Sequence, residues 1–157
     1  MKLEGTAEFP FAAGDVWQAL HDVEVLTKTI PGCKSMAVNA AGEYVVEVAL
    51  GVAAIKGEYT GTVRVDDGEY PRRYALYAEG SGKPGYVKVN VDCQFEQNAT
   101  GTTLRWASDT EVGGLIAGIG GRVLSGISKF MAKQFFQALN EEMSTRFTAL
   151  EAQTAKG

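Results

Sequence analysis

From about Gly114 to Ala152 the chain contains no proline, and Ile116, Ile119, Val123, Ile127, Phe130 and Met131 recur at three- and four-residue steps, the period of an α-helix. Yet Gly113, Gly114, Gly118, Gly120, Gly121 and Gly126 crowd the first half of the stretch. Each glycine inside a helix costs about 1 kcal/mol against alanine. A straight helix of this length would run about 58 Å. A domain of 157 residues has a radius of gyration near ~15 Å and a diameter of roughly 40 Å. One straight, fully packed rod does not fit. A break is predicted near Gly120-Gly121, leaving residues 113–120 as a mobile flap.

The helical stretch has two distinct faces. With Arg122 placed at zero on a 100° wheel, Lys129 and Lys133 fall within about 20° of it and form a basic stripe. Leu124, Ile127, Met131 and Phe135 centre on the opposite side and form an inner face. Further on, Leu139, Met143, Phe147 and Leu150 drift round, so the buried side rotates along the helix.

Everything before the helix is strand-rich. Residues 2–9 alternate apolar and polar and end at Pro10, as a half-buried strand does. Short helices are predicted over Gly14–Leu20 and Val23–Thr29, the second stopped by Ile30-Pro31-Gly32. Strands are then predicted over Tyr44–Leu50, Ala54–Val65, Arg73–Glu79, Tyr86–Glu96 and Thr102–Val112. Asp66-Asp67-Gly68, Gly80–Gly85 and Asn98–Gly101 read as turns. Short turns between neighbouring strands imply an antiparallel meander. Its apolar face needs a cover, and the last helix is the only element large enough. The expected class is α+β, a curved antiparallel sheet gripping a long C-terminal helix, in one domain over residues 1–152, with 153–157 frayed.

Composition removes several function classes. A net charge of −4 argues against a nucleic-acid binder, which carries a basic excess. No apolar run approaches the length of a membrane span. The alternating first residues do not make a secretory signal. Cys33 and Cys93 show no CxxC spacing and no histidine cluster, so free thiols in a reducing cytoplasm are expected and no metal or other cofactor is.

Small residues face the helix at Gly57, Gly61, Ala78, Gly80, Gly118 and Gly121, among large apolar ones. Either the helix sits closer to the sheet there, or space remains. A void of about 300 Å³, the low end for ligand pockets, would cost roughly 7 kcal/mol if empty. A chain this long has about 8–24 kcal/mol of stability in all. Such a void holds a ligand, holds water, or collapses. The expected ligand wall is Leu50, Tyr59, Leu76, Val89, Val91 and Trp106 on the strands, with Ile119, Val123, Ile127 and Phe130 on the helix. Gly118, Gly120 and Gly121 form the expected gate. Arg122, Lys129 and Lys133 form the expected docking stripe for an acidic partner or an anionic membrane surface.

Catalytic signals are sparse. His21 is the only histidine, and no neighbouring motif makes it part of a triad, so it reads as structural or surface. Asp66-Asp67 and Glu141-Glu142 are adjacent pairs that do not converge. Asp92 and Asp109 alternate outward. Gly80–Gly85 lacks the full phosphate-loop pattern and the helix that should follow it. Tyr59 is the polar group most readily placed in the cavity, where its hydroxyl could meet a ligand carbonyl or serve as a plain core hydroxyl.

Four segments in order resemble the CoxG family, the G-type subunits of carbon monoxide dehydrogenase, within the START/Bet v 1-like (SRPBCC) helix-grip superfamily. They are Val16-Trp17-Gln18-Ala19-Leu20, Ile30-Pro31-Gly32-Cys33, the run from Ile55 to Val63, and Gly113-Gly114 leading into a helix that reaches Gln134-Phe135-Phe136. The likeness spans Met1 to about Leu150. It implies a seven-stranded antiparallel sheet around the C-terminal helix with a hydrophobic tunnel between them. It also implies a non-enzymatic accessory role beside a molybdenum hydroxylase of the carbon monoxide dehydrogenase type, carrying a quinone or lipid for it or recruiting it to the membrane. Some members of the family bear a long membrane-binding tail. This chain, ending at Gly157, is expected in the cytoplasm, touching the inner membrane face at most peripherally. Two other readings remain open. A cyclase-like enzyme would place convergent acids or bases in the cavity, where Tyr44, Tyr59 and Tyr74 are the polar groups in view. A ligand-free recruitment protein would have a filled core.

Overall fold

The computed structural model describes residues 1–156, with side chains through Phe147. The backbone is helical to Lys156; Gly157 and the side chain of Leu150 lie outside the described residues. The order is β1 (Lys2–Phe9), α1 (Ala13–Ala19), α2 (Val23–Thr29), β2 (Cys33–Val38), β3 (Tyr44–Leu50), β4 (Gly57–Glu69), β5 (Arg73–Gly82), β6 (Gly85–Asn98), β7 (Gly101–Gly113) and α3 (Gly121–Lys156). All strand pairs are antiparallel, in the order β1-β7-β6-β5-β4-β3-β2. This is the seven-stranded helix-grip sheet.

Three local expectations are corrected. First, strand β2 is not foreseen by residue pattern, because Cys-Lys-Ser-Met-Ala-Val alternates poorly and its burial pattern is irregular. It forms because β3 offers a free edge, and a register shift between Cys33 and Ser35 accommodates it. Second, Asp66-Asp67-Gly68 is no turn. Strand β4 continues to Glu69 through a bulge, and the chain reverses at Tyr70-Pro71, a cis peptide. Third, the Gly80–Gly85 turn shrinks to Lys83-Pro84, since β5 runs to Gly82 and β6 starts at Gly85.

The break in the last helix lies where it was predicted. A single 3-10 segment, Gly114–Gly118, precedes it, and Gly120 turns the chain at φ 98°, a conformation that side chains rarely adopt. Helix α3 then runs for 36 residues, about 54 Å. The 3-10 segment is not a loose flap, however. Ile116 is 2% exposed, and its N–H donates to Pro84 O at 2.9 Å.

Packing is concentrated at the two ends of α3. The larger cluster joins Phe9, Val16, Trp17, Leu20, Phe95, Leu104, Leu139 and Met143. Phe136 meets Phe9 edge-on at 6.1 Å and Phe147 stacks on Phe11 at 4.9 Å. Asn140 Nδ2 donates to Glu8 O at 3.0 Å. The smaller cluster, at the other end, joins Ile55, Ile116 and Leu124, with Leu50, Val52 and Ile119 against it. Between the clusters, sheet and helix do not close on one another.

Candidate functional site

Two adjoining chambers lie between the sheet and α3. The larger encloses about 430 Å³. The smaller, about 280 Å³, lies toward the Ile55–Ile116 end. Val87 and Met131, with Thr110 and Ser128, line both. The alternation of the strands builds the wall. Val63 and Val65 of β4, Leu76 of β5, Val89 and Val91 of β6 and Trp106 of β7 all face the larger chamber. They point inward and yet are only half-buried, because the side of each that should meet the helix meets open space. Trp106 sits across from Gly5 in the β1–β7 register, and a Cβ on Gly5 would fall 2.7 Å from its ring. The glycine lets the indole lie over its neighbour strand and form part of the chamber wall.

The larger chamber is partly open to solvent; were it closed, dry and empty, it would cost about 10 kcal/mol at about 24 cal/mol per Å³. That is comparable with the stability of a whole domain. The core is therefore not filled in the way a ligand-free recruitment protein would have it.

The expected wall residues divide into three groups. Leu76, Val89, Val91 and Trp106 line the larger chamber, and Leu50, Tyr59 and Ile127 the smaller. Ile119 is half-buried in the small cluster and lines neither. Val123 and Phe130 are corrected: they are 49% and 53% exposed and face away from the chambers. They are seven residues apart, so both follow the helical period, but on the outer flank; a period alone does not say which stripe is inward. Residues that the sequence pattern did not single out include Leu26 and Ile30, which close the chamber from the α2 side. Their four-residue spacing was a usable signal. Met131 and Phe135, placed on the inner face by the wheel, do line the larger chamber.

The glycines contribute unequally. A Cβ on Gly61 would lie 2.6 Å from Glu79 O, and one on Gly57 would strike Pro84 at 2.9 Å. These two serve close approach, not space. Gly80 does face the smaller chamber. At Gly118, Gly120 and Gly121 a Cβ would meet nothing within 4 Å.

Tyrosine hydroxyls are the main inward polar groups, and two of the three are engaged. Tyr59 O–H donates to Ile55 O at 2.6 Å, which favours the plain core hydroxyl among its two readings, while its ring lines the smaller chamber. Tyr44 O–H donates to His21 O at 3.1 Å. Tyr74 is 4% exposed and lies against the Cys93 thiol. Burial first, then the neighbouring Cys93, holds the Tyr74 phenol well above its usual range. Burial likewise raises Cys93 to about 11. Both stay neutral at physiological pH. Among the described residues no Asp, Glu, His, Lys or Arg lines either chamber, so the convergent acids or bases that a cyclase-like site would need are not in the lining. Among the described residues no three His, Cys, Asp or Glu side chains gather at a metal-sized site.

His21 is structural, as read, with a partner that sequence spacing did not suggest. Its ring stacks on Trp17 at 4.8 Å. Nδ1 lies 2.7 Å from Trp17 O and Nε2 lies 2.9 Å from Asp67 Oδ1. It ties the α1–α2 junction to the bulged end of β4. Asp92 and Asp109 are exposed, as expected. Arg122, Lys129 and Lys133 line neither chamber. Among the described residues no helix is long and apolar enough to cross a membrane.

The family model for CoxG, the G-type subunits of carbon monoxide dehydrogenase, matches residues 5–144. The chain belongs to the CoxG family. A conserved protein from Geobacillus kaustophilus has a similar crystal structure, with a TM-score of 0.88 and 32% identity over 92% of this chain and 96% of that one. A START superfamily protein from Mycobacterium smegmatis aligns at a TM-score of 0.69 and 14% identity, over 92% of this chain and 97% of that one. Ara h 8.0201 aligns at 0.67 and 15% identity, over 92% and 98%. At those identities the last two speak for the fold alone. No curated protein matches the chain. The family model and the aligned structures agree on the helix-grip fold described above.

Proposed function

We propose that this CoxG-family protein is a non-catalytic carrier of an elongated apolar small molecule, a quinone or lipid, serving a molybdenum hydroxylase of the carbon monoxide dehydrogenase type. The observation that carries the reading is the larger chamber, about 430 Å³ with almost entirely apolar walls, held open between two packed clusters. That volume lies within the range of small-molecule pockets. A lining without Asp, Glu, His, Lys or Arg among the described residues, whose Tyr74 and Cys93 stay protonated at physiological pH, favours carriage over chemistry. Gly118, Gly120 and Gly121, with open space beside them, are the hinge through which the smaller chamber opens. Arg122, Lys129 and Lys133, turned away from the chambers, give the acidic chain a local basic face. That face docks an acidic surface of the partner enzyme, in the cytoplasm or at the inner membrane face, by charge complementarity.

The direct experiment is gel filtration of the expressed chain, organic extraction of the protein peak and mass spectrometry, followed by titration with added quinones. A co-purifying apolar molecule at near-stoichiometric amount is expected. An empty protein that also binds no added quinone or lipid refutes the carrier.

A further inference from the structure

We infer that Tyr74 is the polar anchor of the larger chamber, and that the ligand is a neutral, elongated apolar molecule with a carbonyl-type hydrogen-bond acceptor at one end. This rests on the carrier reading above and narrows it.

Elimination among the tyrosines comes first. Tyr44 and Tyr59 already donate to backbone carbonyls, of His21 and Ile55. Tyr74 has instead the Cys93 thiol, its register partner across β5 and β6. A thiol sulfur is a weak acceptor, so the buried phenol keeps most of its donor capacity. The ring is also held in place. Trp17, His21 and Phe95 surround it at 5.1, 5.0 and 5.8 Å between centroids. A donor fixed in direction and short of a partner is suited to a ligand acceptor.

Charge narrows the class further. Among the described residues the larger chamber is lined by no Lys, Arg or His. A carboxylate or phosphate head entering it would lose its water with no counter-charge in return, a cost far above that of a neutral carbonyl. Length follows from the strand. Leu76, Ala78 and Gly80 continue the inward face of β5 from Tyr74 toward the smaller chamber. From Tyr74 to Gly80 the strand spans about 20 Å. The other hydroxyls on the way, Ser108, Thr110 and Ser128, lie at or near the wall the two chambers share. The polar end therefore sits at Tyr74 and the tail runs toward Gly80.

The test uses the full chain preloaded with Nile red, displaced by methyl nonyl ketone, undecane or undecanoic acid. The ratio of ketone affinity to undecane affinity is expected to fall about tenfold in Tyr74→Phe and to stay unchanged in Tyr59→Phe. At neutral pH undecanoic acid is expected to bind more weakly than the ketone. Cys93→Ser, which gives the phenol a strong competing partner, is expected to lower the same ratio, and it serves if Tyr74→Phe does not fold. An unchanged ratio in both Tyr74→Phe and Cys93→Ser would place the acceptor at Ser108, Thr110 or Ser128 and overturn the anchor. Tightest binding by undecanoic acid would overturn the neutral class. Undecane binding without any ketone effect overturns this inference and leaves the carrier standing; failure of all three probes to displace Nile red overturns both.

Discussion

Replacing Val89 by Phe tests whether the chamber persists in solution. Val89 faces the larger chamber and belongs to neither packed cluster. In a close-packed core a larger side chain forces strain and costs about 1–3 kcal/mol. Here the added ring enters open space. The chamber holds about 430 Å³, so filling one tenth of it recovers about 1 kcal/mol at about 24 cal/mol per Å³. Val89→Phe is therefore expected to be neutral or to stabilise by up to about 1 kcal/mol, while lowering the capacity for Nile red. The matched control is Val16→Phe, at a site with 0% exposure inside the larger cluster, expected to destabilise by about 1–3 kcal/mol or more. Both are read by urea unfolding followed through tryptophan fluorescence. The opposite signs decide the matter. If Val89→Phe loses as much stability as Val16→Phe with no change in m-value, the chamber is closed in solution and the reasoning fails.

Three further outcomes are expected. Because folded Cys93 titrates at about 11, against about 8.5 for an unperturbed thiol, the folded chain holds a proton that the unfolded chain has already lost between those values. Stability is thus unaffected below about pH 8.5 and falls as pH rises toward about 11, and Cys93→Ala flattens that fall in pH-jump unfolding measurements; an equally steep fall in the variant contradicts the assignment. Ile116→Ala is expected to cost about 2–5 kcal/mol in chemical denaturation, since Ile116 is 2% exposed, and to speed Nile red release in stopped-flow mixing; unaltered release would exclude the Gly114–Gly118 segment from the gate. Reversing Arg122, Lys129 and Lys133 to Glu is expected to abolish capture of the partner hydroxylase while changing stability by less than about 1 kcal/mol, and intact capture in a pull-down would remove the stripe from the docking surface.

Elements whose pattern is both long and regular could be read from the sequence directly. Strands β1 and β3 and helix α2 have the predicted limits, because alternation or a proline stop defines each end. The break before α3 was legible in its glycines, with Gly120 at φ 98°, and not in the length argument, since α3 itself, at about 54 Å, still exceeds the expected width of roughly 40 Å. Strand β2 was not readable, because an edge strand is recruited by its neighbour's free hydrogen bonds and need not alternate. The chamber wall was readable on the strands, where every second residue must share a face. It was less so on α3, where Val123 and Phe130 obey the period and still point outward. The two readings of Tyr59 could not be separated for a different reason. Tyr59 and Tyr74 are both inward tyrosines, and only three-dimensional contacts reveal that the first has its hydroxyl committed to Ile55 O. Likewise the partner of His21, Asp67, lies 46 residues away, beyond any local motif.

With the two packed clusters at opposite ends of α3, Val63 and Val89 face the larger chamber without belonging to either cluster, whereas Tyr74 and Cys93 serve both chamber and cluster. Substitutions at Val63 and Val89 can reshape what is carried without loosening either anchorage. A scaffold so divided tolerates drift in its middle, and descendants that share its ends need not share its passenger.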